Sequence, residues 1–124
     1  MNQKILVADD EPNIVISLEY LLKREGYTVL IARDGQEALE TIAREQPDLV
    51  LLDVMMPKKT GFEVCQALRA SDDLQAIKIL MLTAKGRDTD VAKGLALGAD
   101  AYITKPFSTR ELVLKVAELL RQSA

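Results

Sequence analysis

The stretch Asp48–Leu52 (DLVLL), closed by Asp53, decides how the rest of the chain is read. Four consecutive apolar residues leave no polar face, so the segment reads as a strand covered on both sides, as a parallel sheet requires. Four more short runs share its character: Lys4–Ala8 (KILVA), Tyr27–Ala32 (YTVLIA), Ile77–Leu82 (IKILML) and Ala101–Thr104 (AYIT). The stretches between them are long enough for crossover helices. After the first run, Val15, Leu18, Leu21 and Leu22 form one stripe, with Asp10 the expected N-cap, Pro12 in the first turn and Gly26 the stop. Gly35–Glu45 carries Ala38, Leu39 and Ile42 and is stopped by Pro47. Phe62–Ala70 carries Cys65 and Leu68, and Thr109–Arg121 carries Leu112, Val116, Leu119 and Leu120. Arg87–Leu97 has looser periodicity and an internal Gly94, which predicts a mobile helix. Strict alternation of strand and helix predicts an α/β protein: a single domain over residues 1–124 with five parallel strands, right-handed crossovers and helices on both faces.

Composition removes whole classes of function. The chain has 124 residues, 48% of them hydrophobic, enough for a core and too ordered in pattern for a disordered tail. Its 16 basic and 19 acidic side chains leave a net charge of −3, and no Lys/Arg run exceeds two. With only five scattered aromatics (Tyr20, Tyr27, Phe62, Tyr102, Phe107), neither a nucleic-acid footprint nor a base-stacking platform is expected. The absence of histidine excludes a Ser-His-Asp triad, a Cys-His pair and a His-ligated zinc site. Lone Cys65 cannot form an internal disulfide, and neither a membrane span nor a signal-peptide pattern is legible. The expectation is a cytoplasmic chain that contacts no membrane.

The polar residues able to carry chemistry fall at one end of the strands. Asp9 and Asp10 follow the first, Asp53 closes the third, Thr83 follows the fourth and Lys105 the fifth. Open α/β sheets bind ligands beyond the carboxyl ends of their strands, where strand order reverses. If the order is 2-1-3-4-5, that crevice lies between strands one and three, and Asp9, Asp10 and Asp53 converge. Crowded carboxylates need a counter-charge, and oxygen ligands without His or Cys point to Mg²⁺, with Mn²⁺ as the alternative. Lys105 offers a fixed cation and Thr83 a hydroxyl, which with the metal can surround a phosphoryl group. A carboxylate there can act as nucleophile and form an acyl phosphate. Met55 and Met56 read as core or rim packing, Cys65 as a small core-facing helix residue, and Lys58 and Lys59 as a solvated loop.

In this setting the chain resembles the receiver domain of bacterial two-component response regulators along nearly its whole length. The resemblance is carried by ADDEP (Ala8–Pro12), LLDVMMP (Leu51–Pro57) with Gly61 four residues on, MLTAK (Met81–Lys85), the run from Gly98 to Phe107 ending YITKPF, and the REL run from Arg110. It implies a flavodoxin-like receiver fold, a single-domain, doubly wound, five-stranded parallel sheet of order 2-1-3-4-5 with five helices, and a part in a phosphorelay. By the resemblance Asp53 is the phospho-acceptor, and Asp9, Asp10, Asp53 and the backbone carbonyl of Met55 hold Mg²⁺, Asp9 mainly through water. Thr83 and Lys105 match the pair that grips the phosphoryl group. Tyr102 matches the aromatic that turns inward when Thr83 moves, and Pro106 the proline that follows a cis peptide. The implied donor is a sensor histidine kinase or a histidine phosphotransfer protein, consistent with a chain that has no histidine of its own. The implied activity is not that of an enzyme: self-phosphorylation from donors and slow autodephosphorylation only.

Two rivals share parts of this pattern. A haloacid-dehalogenase-type phosphohydrolase is expected to carry Asp-x-Asp after strand one, where this chain has Asp9-Asp10-Glu11. A non-phosphorylated docking module of the same fold would lack the acceptor, an acid or the lysine, and none is missing. Output is expected through the face of helix 4, strand 5 and helix 5 to a partner the sequence does not identify. Ala96 and Ala101 stand where receivers of DNA-binding regulators usually carry acids for cross-dimer ion pairs. The expectation is therefore a stand-alone receiver, monomeric at rest, with any dimer dependent on phosphorylation.

Overall fold

The computed structural model of the chain describes residues 3–122. Five parallel strands, β1 Lys4–Ala8, β2 Thr28–Ala32, β3 Leu49–Asp53, β4 Lys78–Ala84 and β5 Ala101–Lys105, form one sheet of order β2-β1-β3-β4-β5. Helices α1 Pro12–Arg24, α2 Gly35–Glu45, α3 Gly61–Ala70, α4 Asp88–Ala96 and α5 Thr109–Gln122 alternate with them, and a short 3-10 turn, Asp72–Leu74, precedes β4. All five residues of β3 are buried, the consequence of a central strand with helices on both faces.

Alternate strand residues feed two cores. Ile5, Val7, Leu49, Leu51, Leu80 and Leu82 pack beneath α1 and α5, against Val15, Leu18, Leu112 and Val116. Leu6, Val50, Leu52, Ile79 and Met81 face the other way, against Ala38 and Ile42 of α2 and Val64, Cys65 and Leu68 of α3. Each buried aliphatic side chain contributes about 1.5–3 kcal/mol by leaving water, so these layers dominate stability. Cys65 faces the core as expected, and burial pushes its thiol up from the ordinary value. In α4 only Gly94 is buried, the structural counterpart of its loose apolar periodicity.

The structure corrects one helix start. Glu11, not Asp10, is the N-cap of α1, and it makes no side-chain cap hydrogen bond. Asp9 does the local work instead: its Oδ1 accepts the Glu11 backbone N–H at 2.9 Å, which leaves Asp10 free to project outward. Strand ends shift by one or two residues from the expected bounds, so that Thr83 and Lys105 lie inside β4 and β5 rather than after them. Among the described residues no helix is long and apolar enough to cross a membrane.

Candidate functional site

β1 and β3 are hydrogen-bonded neighbours, with Ala8 opposite Leu52, so the residues that follow Ala8 meet Asp53 at the same edge. Carboxylate oxygens of Asp9, Asp10 and Asp53 all lie within 4.8 Å of one another. Asp9 is fully buried, Asp53 is 7% exposed, and Asp10 faces solvent. From β5, two strands away, Lys105 reaches back across the edge. Its Nζ donates to Asp9 Oδ2 at 2.8 Å and Glu11 Oε1 at 3.1 Å, and stands 3.4 Å from Asp53 Oδ1. Glu11 was not among the residues singled out from the sequence; its place in the acidic triplet after β1 was the available signal.

Burial, reinforced by the Asp9 charge, pushes the Asp53 carboxyl up to about 7 against the pull of Lys105. For Lys105, burial works against the ammonium, but the Asp9 hydrogen bond and the Asp53 and Asp9 charges outweigh it and raise its pKa. The cluster thus carries more negative charge than one lysine neutralises.

Thr83, 1% exposed near the end of β4, holds a buried hydroxyl that has no hydrogen-bond partner among the described residues. A buried hydroxyl normally finds a partner, so this one is poised for a group that arrives from outside. The β3–α3 connection is held by α3. Gly61 N–H donates to Val54 O at 2.8 Å, and a Cβ at Gly61 would collide with the Asp53 carbonyl oxygen, so only glycine fits. Thr60 and Glu63 complete a reciprocal cap at the same turn. Met55, 67% exposed, stands on the rim. A cavity of about 340 Å³ opens here, lined by Asp10, Asp53, Met55, Ala84, Arg87 and Lys105 among others.

The remaining sequence candidates lie around this centre. The Lys105–Pro106 peptide bond is cis. Tyr102, 44% exposed, pairs with Met81 in the β4–β5 ladder, two positions before the Thr83–Thr104 pair. Lys58 is exposed in the loop, 3.7 Å from Asp34. Met56 is buried in the core while its neighbour Met55 is not.

Three carboxylates with surplus negative charge, in a group that among the described residues includes no His or Cys, suit a hard divalent cation such as Mg²⁺. Asp9, Asp10 and Asp53 are the side chains that would hold it.

Comparison with known proteins agrees with this geometry. The chain is 54% identical over 123 residues to the alkaline phosphatase synthesis transcriptional regulatory protein PhoP of Bacillus subtilis, a match that takes in 99% of this chain and 50% of that protein. It therefore spans about half the length of that relative. A putative response regulator from Chloroflexus aurantiacus superimposes with a TM-score of 0.94 at 35% identity, over 98% of this chain and 99% of that one. The receiver domain of the sensor histidine kinase PA1611 of Pseudomonas aeruginosa, whose structure has a magnesium ion coordinated in its active-site cleft, superimposes at 0.89 with 28% identity, over 97% and 98%. The sequence model of the response regulator receiver domain matches residues 5–117, and with the five-stranded 2-1-3-4-5 sheet and the acidic crevice at its carboxyl edge the chain belongs to that family.

Proposed function

We propose that residues 1–124 act as one Mg²⁺-dependent phospho-receiver, cytoplasmic, with Asp53 as the acceptor. The observation that carries this is the convergence of Asp9, Asp10 and Asp53 against Lys105, beside the unpartnered Thr83 hydroxyl. Asp9, Asp10, Asp53 and the Met55 backbone carbonyl are the proposed ligands, and the magnesium in the cleft of the Pseudomonas relative supports the choice of ion. When bound, the cation supplies positive charge beside the phosphoryl oxygens during transfer.

The chain's own groups account for the rest. An Asp53 carboxylate oxygen attacks phosphorus and forms the new O–P bond. The P–N bond of a donor phosphohistidine breaks, with its electron pair leaving on the imidazole nitrogen. Lys105 neutralises one phosphoryl oxygen and Thr83 donates its hydroxyl to another. The gain of about −1.5 to −2 charges draws Thr83 and the loop after it inward, and Tyr102 turns into the vacated space. The face of α4, β5 and α5 then differs between the two states and is read by an output partner. The donor is a sensor histidine kinase or a histidine phosphotransfer protein. Self-phosphorylation and slow autodephosphorylation are the only reactions, with no turnover of an outside substrate.

Incubation with acetyl phosphate and Mg²⁺, read by intact mass, tests the acceptor. One phosphoryl group is expected on the wild type and none on Asp53→Asn or in EDTA. An Asp53→Asn protein that still gains the group, or a wild type that never does, defeats the reading and favours a docking module of the same fold.

Two observations bear on output. Ala96, exposed on α4, and Ala101, at the start of β5, cannot form cross-dimer ion pairs, which supports a stand-alone receiver. The Bacillus relative is a transcriptional regulator, which supports a second reading as the receiver part of a DNA-binding protein. Sedimentation of the phosphorylated chain bears on the second reading: a monomer at every concentration counts against it, and a dimer is compatible with both.

A further inference from the structure

Lys105 is engaged by three carboxylates deep in the crevice, which leaves a place at its mouth for a further cation to meet an incoming anion first. Arg87 is placed to be that cation. It is the N-cap residue of α4 and lines the same cavity as Asp53, and Ala84, exposed in that lining, adds no long side chain to it. Its Nε donates to Asp90 Oδ2 at 3.0 Å, which aims the side chain, and Asp90 lines the cavity too. Only one of the five guanidinium N–H donors is used there; the four on the Nη atoms have no partner among the described residues. Gly86, at φ +85° with nothing near its Cβ position, leaves the segment before Arg87 unobstructed.

We propose that Arg87 is a donor-binding residue: its free Nη groups take the phosphoryl oxygens of small anionic phosphodonors as they enter, before Asp53 attacks. This deepens the phospho-receiver reading and rests on it. The step itself is unchanged. One Asp53–phosphorus bond forms, and the donor's P–O bond (acetyl phosphate) or P–N bond (phosphoramidate) breaks with its electron pair on the leaving acetate or on the protonated nitrogen that departs as ammonia. A guanidinium suits the task chiefly through its positive charge, which attracts the phosphoryl oxygens and which a lysine ammonium shares, while its fork adds a second hydrogen bond.

The test measures second-order rate constants for phosphorylation by acetyl phosphate and by phosphoramidate, in saturating Mg²⁺, at low and high ionic strength. Arg87→Ala is expected to lower both constants roughly five- to tenfold at low salt, and less at high salt, because a semi-exposed cation is screened. Arg87→Lys should recover a substantial part of the loss, and the unfolding midpoint and calorimetric Mg²⁺ affinity should match wild type. Unchanged rates in Arg87→Ala overturn the proposal. So does a loss confined to acetyl phosphate, which would place the contact on the leaving acyl group. A loss that lysine does not restore, or one accompanied by a lower unfolding midpoint, would make the role structural and equally overturn it. If the wild type takes no phosphoryl group, or Asp53→Asn still takes one, the receiver reading itself has failed.

Discussion

Asp53 combines near-complete burial with two carboxylate neighbours, and its pKa of about 7 is the most informative number at the site. Because the folded value lies above the ordinary 3.8, the proton is held more tightly in the folded state. The associated stability is complete below about 3.8 and is lost as pH rises toward 7. Without metal, Asp53→Asn should therefore be more stable than wild type at pH 7.5, by on the order of 2 kcal/mol, and the gap should shrink toward pH 4. Denaturant unfolding at both pH values checks this, and a variant weaker than wild type at pH 7.5 would refute it. A cation must displace the same proton, so Mg²⁺ affinity should weaken about tenfold per pH unit below 7 and flatten above it, as titration calorimetry would show. Thr83 makes a complementary case. Its buried hydroxyl carries a desolvation cost with no hydrogen bond to offset it, so Thr83→Val should leave the unphosphorylated protein unchanged or up to about 1 kcal/mol more stable. A clear destabilisation would mean that the hydroxyl has a partner after all.

Between elements, the connections that place the site are made by a few long side chains. Arg69 of α3 donates from Nε to Gly98 O, from Nη1 to Gln75 O and Ile77 O, and from Nη2 to Asp100 Oδ2, each at 2.8 Å. Asp100 in turn accepts the Ile79 backbone N–H at 2.8 Å. One guanidinium thereby ties α3 to the start of β4 and to the turn between α4 and β5. Arg69→Ala strands those acceptors and should cost about 2–4 kcal/mol in chemical denaturation, and Arg69→Lys should recover little, because a point charge cannot serve four acceptors fanned across a plane. Nothing in the apolar periodicity of α3 marked Arg69, since its partners lie on other elements.

Across the whole molecule, burial is distributed unevenly. The central strands are sealed on both faces, and α1 and α5 each set four side chains into one core. By contrast α4 buries Gly94 alone and is held from outside by the Lys93 ammonium over the Phe62 ring, 4.5 Å from its centroid. Local opening free energy follows such contacts, so native-state hydrogen exchange should find α4 amides exchanging well before those of β1, β3 and β4. Equal protection of α4 and β3 would contradict this picture. The same unevenness gives α4 the freedom that the proposed switch requires, next to a face on which Leu95, Tyr102 and Leu114 are 44–58% exposed.

The sequence by itself determined the elements and their order, because apolar periodicity, glycines and prolines act over a few neighbouring residues. It also placed Asp9, Asp10, Asp53, Thr83 and Lys105 at strand ends, and the family resemblance attached roles to them. Tertiary structure alone decided what depends on distance and dielectric. Parallel pairing of β1 with β3 brought the carboxylates within 4.8 Å, and their burial raised Asp53. The reach of Lys105 to Glu11, the transfer of the α1 cap from Asp10 to Glu11, and the unpartnered Thr83 hydroxyl are of the same kind. Residues far apart in the chain set them through packing, and no local pattern records a partner that arrives from another strand.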